Sequence, residues 1–370
     1  MEKKRSIRYN YSMHIGIEAE RANNPHKTGV EHYAKQLILH LAELDANNQY
    51  TLYLRTKPEK WLLELPKNFK IKVIPFPLFW TQLRLSWELF RHEIDLLFIP
   101  ASALPVYHPK KTVVTIHDLA WKFYPKSFTW FNRNFLEYST RFAVARAKKI
   151  IAVSESTKRD LVKFYKISPE KIFVIHHGYE APPPVMRASA PGLPQKYVLF
   201  LSTLQPRKNL EGLIEAFAQL KKERPELPHK LVVVGKTGWK FEKILEAIRS
   251  HPEDVVYLNH VPDAERLVIL KNADVLALPS FYEGFGMQIL EAFALGLPVI
   301  ASNVSSMPEV AGAAALYFDP HNPSEIKKAL ADALTDRGLR DNLAQKGKER
   351  LGAFGWEKCA RETLRLFLTL

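Results

Sequence analysis

Short apolar runs and longer amphipathic stretches alternate along this chain, a pattern that predicts strands and helices in turn. In the first half the strand-like runs fall at residues 13–19, 50–54, 71–74, 96–99, 112–116, 149–153 and 172–175. In the second half they fall at 197–202, 230–234, 255–258, 274–278 and 298–301. Strands separated by helical stretches argue for mainly parallel sheets covered by helices. Between the two series lies Ala181-Pro182-Pro183-Pro184, then Pro191 and Pro194, a stretch suited to a linker. The closing segment, 356–370, is helical in pattern. The expected organisation is a domain at 1–180, a linker at 181–195, a second domain at 196–355 and a C-terminal helix at 356–370.

Composition agrees with that plan. A chain of 370 residues is long enough for two domains of ordinary size. Hydrophobic content of 46% with 25% charged residues indicates a soluble protein with substantial cores. A single cysteine, Cys359, excludes an internal disulfide and a cysteine-based zinc cage. The most apolar run, 289–302, is broken by Glu291, Gly296 and Pro298, so no membrane span is expected. Residues 1–18 are basic but lack the apolar core of a secretory signal. The expected location is the cytoplasm.

Charge adds one asymmetry to the net +14. Residues 1–180 hold 29 Lys and Arg against 17 Asp and Glu, a net +12, whereas the remainder holds 24 against 22, a net +2. The first half is therefore expected to face something anionic, with nucleic acid and an acidic membrane surface as candidates. A basic surface that merely keeps the protein soluble explains the charge equally well, because charge names no partner.

The densest chemistry lies at 283–291, Glu-Gly-Phe-Gly-Met-Gln-Ile-Leu-Glu, between the strand-like run 273–279 and an apolar helix. A strand feeding a glycine turn and then a helix presents backbone N–H groups to an anionic oxygen. Glycine also lets the backbone approach a ligand closely. Glutamates beside such a turn repel phosphate but accept hydrogen bonds from hydroxyls, and sugars are dense in hydroxyls. The combination suggests a nucleotide-sugar pocket.

With the following Leu295-Gly296-Leu297-Pro298-Val299-Ile300-Ala301-Ser302, the segment 273–302 resembles the donor-site signature of retaining family 4 glycosyltransferases of the GT-B fold. That signature has two glutamates eight positions apart, here Glu283 and Glu291, with a Gly-Phe-Gly turn after the first. The resemblance implies two Rossmann-like parallel-sheet domains facing each other across a cleft. The first would be the acceptor side and the second the nucleotide-sugar donor side, with the C-terminal helix crossing back to the first. It also implies that Glu283 binds donor sugar hydroxyls, that the backbone at Gly284, Phe285 and Gly286 meets the diphosphate, and that Glu291 accepts from the ribose.

Further residues fit the same family pattern. Arg207 and Lys208, just beyond the first strand of the second half, are suited to a diphosphate, Arg as a fork and Lys as a point charge. Many members place an arginine nearer the strand, where this chain has Thr203, which leaves open whether Arg207 takes over that role. Gly235 matches a family glycine near the nucleotide, and a structural turn explains it as well. Gly29, in Gly29-Val30-Glu31-His32-Tyr33, resembles the acceptor-side glycine loop. His117, at a strand end in Thr115-Ile116-His117-Asp118, falls where the family has a histidine facing the donor sugar, with Asp118 orienting the loop.

Ser154-Glu155-Ser156-Thr157 also matches a family stretch, though helix capping accounts for it. The pair His176-His177 has no nearby carboxylate or cysteine to complete a metal set, so no metal is assigned. Neither Gly-x-Gly-x-x-Gly after the first strand nor a Walker loop is present, which counts against dehydrogenases and NTPases.

Ser306-Met307-Pro308-Glu309-Val310-Ala311-Gly312 resembles mannosyltransferase-like members that build surface polysaccharides. The expected function is a hexosyltransferase moving mannose from a GDP- or UDP-linked sugar to a glycan or lipid-linked acceptor. It would need no metal and no cofactor beyond the donor substrate. Two aromatic and basic stretches, around Phe79-Trp80 with Arg84 and from Trp121 to Arg133, are expected to leave several rings exposed. They would let the protein sit peripherally on the inner face of an anionic membrane. Another GT-B enzyme, an epimerase or phosphorylase, is the alternative; a non-enzymatic nucleic-acid binder is disfavoured, and no nucleic acid is expected as partner.

Overall fold

The computed structural model describes residues 12–25, 29–180, 182, 192–259 and 261–370. Most of the expected linker at 181–195, the first eleven residues and positions 26–28 lie outside them. The thirteen strands among the described residues form two all-parallel sheets. The first contains β1 (His14–Glu18), β2 (Gln49–Leu54), β3 (Phe69–Val73), β4 (Leu96–Ile99), β5 (Thr112–Ile116), β6 (Lys149–Ala152) and β7 (Ile172–Val174). The second contains β8 (Tyr197–Leu201), β9 (Lys230–Val234), β10 (Val255–Leu258), β11 (Val275–Leu278), β12 (Val299–Ser302) and β13 (Ala315–Phe318).

Their orders are β3-β2-β1-β4-β5-β6-β7 and β10-β9-β8-β11-β12-β13, the doubly wound plan twice over. Twelve of the strands fall on the apolar runs of the sequence. The thirteenth, β13, was not anticipated. It begins on the last of three consecutive alanines, 313–315, which favour helix, and pairing with β12 (Ile300 opposite Leu316) overrides that preference.

Two compact units result. Unit 1 comprises the described residues up to Leu119 with Asn134–Gly178 and Phe354–Leu370. In β1, Ile15 and Ile17 are fully buried, and Ile17 lies opposite Leu52 on one side and Phe98 on the other. The helix Gly29–Leu44 buries Tyr33, Ala34, Leu37, Ile38, Leu41 and Leu44, a spacing that puts one stripe on the sheet. The helix Trp356–Leu368 packs on it, and the ring of Phe367 meets Phe98 at 5.2 Å. The last helix of the chain is thus part of unit 1. Gly178 makes this fit: a Cβ there would lie 2.1 Å from the Trp356 nitrogen.

Unit 2 comprises Ala120–Arg133 and the described residues within Tyr179–Ala353. Its core gathers Val198, Phe200, Leu213, Phe217, Val233 and Leu330 from strands and helices alike. Ala120–Arg133 falls here rather than with the sheet that precedes it, a departure from the boundary drawn at 180. Aromatic stacking holds it: Phe123 lies 5.0 Å from Tyr282, and Tyr124 lies 5.6 Å from Phe281. The Tyr124 hydroxyl also donates to the Phe281 carbonyl at 3.3 Å.

In each unit the strand order reverses at one place, between β1 and β4 and between β8 and β11. The loops leaving two such strands diverge to opposite faces, which opens a crevice at their C-terminal ends. Unit 2 carries its most polar buried cluster there.

Replacing Gly178 by Ala should cost about 3 kcal/mol or more, because the group it meets is backbone and has no rotamer to change. Gly29→Ala meets open space at a helix start and should be neutral or stabilising by about 0.5 kcal/mol. Urea denaturation of both variants tests this; equal losses would contradict the packing argument.

Candidate active site

After β8 the chain makes a single tight turn, Pro206–Lys208, and Asn209 ends it in the left-handed conformation at φ 53°. Asparagine is among the residues that visit that conformation most readily, and its amide is anchored to a remote segment, Nδ2 donating to the Pro320 carbonyl at 2.9 Å. The turn fixes Arg207 and Lys208 opposite the loop that leaves β11. The two loops are joined by backbone, the Phe281 N–H donating to the Arg207 carbonyl at 2.9 Å.

Glu283, in the loop that leaves β11, is almost fully buried. Lys208 donates to its Oε1, as does the Ser280 hydroxyl at 2.7 Å. Arg207 Nη1 reaches its Oε2 at 3.4 Å and the Tyr282 carbonyl at 3.0 Å. The Glu283 N–H donates to Ser305 Oγ at 3.0 Å, and Ser306 Oγ donates to the carbonyls of Glu283 and Phe285 at 2.9 and 3.0 Å. Burial alone would raise the Glu283 carboxyl. Lys208 and then Arg207, with the hydrogen bonds from Lys208 and Ser280, outweigh it and hold the carboxyl down to about 2. The side chain is therefore a permanent anion and a pure acceptor.

Sequence reasoning placed the cations with phosphate and Glu283 with sugar, as separate parts. The structure brings all three into one ion cluster, because β8 and β11 are neighbours although the loops are 75 residues apart in the chain. It also adds Ser280, Ser305 and Ser306, which no pattern in the chain marked as partners of Glu283.

Beyond Glu283 the turn ends at Gly286, with φ 94°, where a side chain would be strained. The helix Met287–Ala294 starts there and buries Ile289, Leu290, Ala292 and Phe293. Phe285 is buried, so its ring serves the core and only its backbone is available to a ligand. Glu291 lies on this helix apart from the ion cluster and accepts from Arg266 Nη1 at 2.7 Å. Burial raises its carboxyl against the pull of Arg266. Arg266 is a partner the sequence did not suggest. At Gly235 a Cβ would come within 1.8 Å of the Ser202 carbonyl oxygen, so the backbone after β8 demands that glycine.

In unit 1, His117 follows β5 and its Nε2 donates to the Pro100 carbonyl at 2.8 Å. A carbonyl only accepts, so the neutral ring carries its proton on Nε2 and offers Nδ1 as an acceptor. Burial lowers its pKa, against the opposing effects of the Pro100 carbonyl and Asp118. The ring lies edge-on to Tyr33 at 5.0 Å and to His177 at 5.4 Å. Asp118 is half-buried beside it. Gly29 opens the Gly29–Leu44 helix, with open space where a side chain would point. His177 stacks on Tyr33 at 4.8 Å and is held neutral, its pKa lowered first by burial and then by its neighbours His117, His32 and His176. Among the described residues, no group of three or more His, Cys, Asp or Glu side chains is placed to hold a metal ion. Ser154 caps the next helix by accepting the Thr157 N–H at 3.0 Å, a structural task.

Comparison with known proteins bears on this arrangement. Residues 27–181 match the family model Glycosyltransferase Family 4, and residues 184–350 match Glycosyl transferases group 1. The chain is 28% identical over 298 residues to O-antigen chain mannosyltransferase B of Escherichia coli, covering 78% of this chain and 77% of that protein. It is 26% identical over 276 residues to the serotype-specific mannosyltransferase WbdA of Escherichia coli, covering 71% of this chain but only 34% of that longer protein. The solved structure of Anabaena HepE in complex with UDP-glucose superposes with a TM-score of 0.72 at 17% identity, covering 97% of this chain and all of the other. With two Rossmann-like parallel-sheet units and family models matched along nearly its whole length, the chain belongs to the family 4 glycosyltransferases, with the GT-B fold.

Proposed function

We propose that this protein is a retaining, metal-independent hexosyltransferase that moves mannose from a nucleotide diphosphate sugar to a glycan or lipid-linked acceptor in surface polysaccharide synthesis. The observation that carries this reading is the buried cluster of Lys208, Arg207 and Glu283 at the mouth of β8 and β11. Such a cluster places two cations where negative charge develops and an obligate acceptor beside them, already desolvated and oriented. The relatives named as mannosyltransferases favour mannose, and the Anabaena neighbour's UDP-glucose favours a nucleotide-sugar donor, here GDP- or UDP-linked.

In this reading Arg207 keeps Nε on Gln205 and Nη1 on the β11 loop, leaving Nη2 for a phosphate oxygen. Lys208 divides its charge between Glu283 and the diphosphate. The backbone at Gly284 to Gly286 meets the phosphates at the start of the Met287–Ala294 helix. Glu283 accepts from hydroxyls of the donor sugar, and Glu291, oriented by Arg266, accepts from the ribose.

The bond from the anomeric carbon to the diphosphate oxygen breaks with its electron pair leaving on oxygen. The acceptor hydroxyl attacks from the same face and passes its proton to the departing phosphate. No carboxylate nucleophile and no metal is needed. His117, neutral with Nδ1 open as an acceptor, takes a hydrogen bond from the sugar; Gly29 and Asp118 belong to the acceptor side. The protein works in the cytoplasm, at the inner face of the membrane.

A thermal-shift screen of GDP-mannose, UDP-glucose and other nucleotide sugars tests the donor. Ligand at about a hundredfold over its Kd should stabilise the protein by about 2.7 kcal/mol. Product analysis on the hit should give the retained anomer, with EDTA leaving the rate unchanged. A strict need for a divalent ion would overturn the metal-free mechanism, and conversion of donor without acceptor would indicate an epimerase.

Replacing Lys208 and Arg207 together by Ala should lower transfer by at least about a hundredfold and weaken nucleoside diphosphate binding. Unchanged turnover in the folded variant would remove both from the mechanism.

Glu283→Gln should cut transfer sharply while nucleoside diphosphate affinity is largely kept, whereas Glu291→Gln should weaken the nucleotide itself. Equal loss of nucleotide affinity in both would refute this division.

Glu283 also predicts a pH signature. Its folded pKa is depressed to about 2, so its contribution to stability is present above the unfolded value of 4.5 and is lost as pH falls toward 2. The urea midpoints of wild type and Glu283→Gln should therefore converge between pH 5 and 2.5; a constant gap would contradict the ion cluster.

A further inference from the structure

The stretch 80–91 in unit 1 is apolar on two sides, and the protein covers one of them. A π-helical turn, Thr81–Leu85, runs straight into the helix Ser86–Arg91. Trp80, Leu85 and Leu89 are buried, and the indole of Trp80 donates to the Ile74 carbonyl at 2.7 Å. Leu83, Trp87 and Phe90, spaced four and then three residues apart on one face, are 54%, 55% and 61% exposed. The rings form a continuous surface: Trp87 and Phe90 lie 6.1 Å apart, and Phe90 meets Tyr107 edge-on at 5.3 Å. Leu78 and Phe79, just before the turn, are exposed as well.

The charge on this stretch has one outward sign. Within 80–91 the charged residues are Arg84, Glu88 and Arg91. Glu88 is buried and neutralised by Lys72 and Arg84, while Arg91 is exposed with its guanidinium 5.8 Å over the Trp87 ring. Large apolar rings with a cationic rim, on the half of the chain that carries +12, complement an anionic lipid surface. Beside the turn a cavity of about 280 Å³ opens between Phe79 and Phe135, with Glu18, Arg21 and Arg55 on its polar side.

We infer that this face is a membrane-docking ledge, which sets Leu83, Trp87 and Phe90 into the headgroup region of an anionic bilayer. The inference rests on the proposed lipid-linked acceptor for its purpose: a docked ledge would bring the neighbouring polar cavity to an acceptor head group at the surface. The other aromatic stretch that the sequence marked, from Trp121 to Arg133, also leaves Trp130 and Phe131 exposed while burying Trp121, but it belongs to unit 2.

Sedimentation with phosphatidylcholine vesicles, and with vesicles half phosphatidylglycerol, tests the ledge at low and high salt. Wild type should pellet with the anionic vesicles and far less with the neutral ones. The triple variant L83S/W87S/F90S should bind them at least about tenfold more weakly, and R84Q/R91Q should lose the preference for anionic lipid. Bromine-labelled lipid should quench tryptophan fluorescence in wild type and less in W87F. The nucleotide-sugar thermal shift, measured on the same variants, should be unchanged, so a failure of the donor reading is distinguished from a failure of the ledge. Equal pelleting by wild type and the triple variant would overturn the inference. So would a solution dimer that the triple variant abolishes in a protein that ignores vesicles, since the occupant would then be a second copy.

Discussion

The ion cluster of Glu283 with Lys208 and Arg207 is the constraint on which the rest of unit 2 turns. Burying a carboxylate and an ammonium together costs several kcal/mol of hydration per ion, and the attraction between them repays that only with good geometry and satisfied hydrogen bonds. Here the geometry is supplied from three directions: Ser280 on the carboxylate, Ser305 and Ser306 on the Glu283 backbone, and the Arg207 carbonyl on Phe281. A hydrophobic replacement would hold the loops as well. Under the proposed function the cluster is chemistry rather than glue, and its hydrogen bonds keep two cations and one anion fixed before a substrate arrives.

The parallel sheet is what makes such a cluster attainable. In a doubly wound sheet the central strands are neighbours in space and far apart in sequence, so loops leaving them meet without following one another. β8 and β11 are such a pair in unit 2, as β1 and β4 are in unit 1. The residues at these ends need little local structure of their own. A tight turn after β8 and a glycine turn after β11 suffice, since fully buried strands on both sides hold their ends.

Unit 1 is finished by segments distant from it in the chain. The helix Trp356–Leu368 supplies Trp356, Ala360, Leu364 and Phe367 to its core, and Gly178 lets that helix begin against the end of the sheet domain. The aromatic cluster of Tyr33, His117, His177 and Trp356 thus contains residues from four distant segments. It holds His117 neutral by burial and in one tautomer through Pro100, which sets what the ring offers a ligand.

Much was legible in the sequence where the signal is local. Apolar runs located twelve of the strands, most cleanly where the strand is buried throughout, as β4, β8 and β11 are, because no polar position interrupts them. The spacing of Glu283, Gly284, Gly286 and Glu291 marked the turn between β11 and the helix Met287–Ala294, since a glycine turn between strand and helix is written in adjacent residues. What the sequence left open depends on contacts between remote residues. It did not join Lys208 to Glu283, give Glu291 the partner Arg266, place Ala120–Arg133 in unit 2, or separate the buried Trp121 from the exposed Trp87. Composition and spacing determine which side chains are available and which element they ride on. Strand order and packing alone decide which of them meet, because a parallel sheet brings together residues that no local pattern connects.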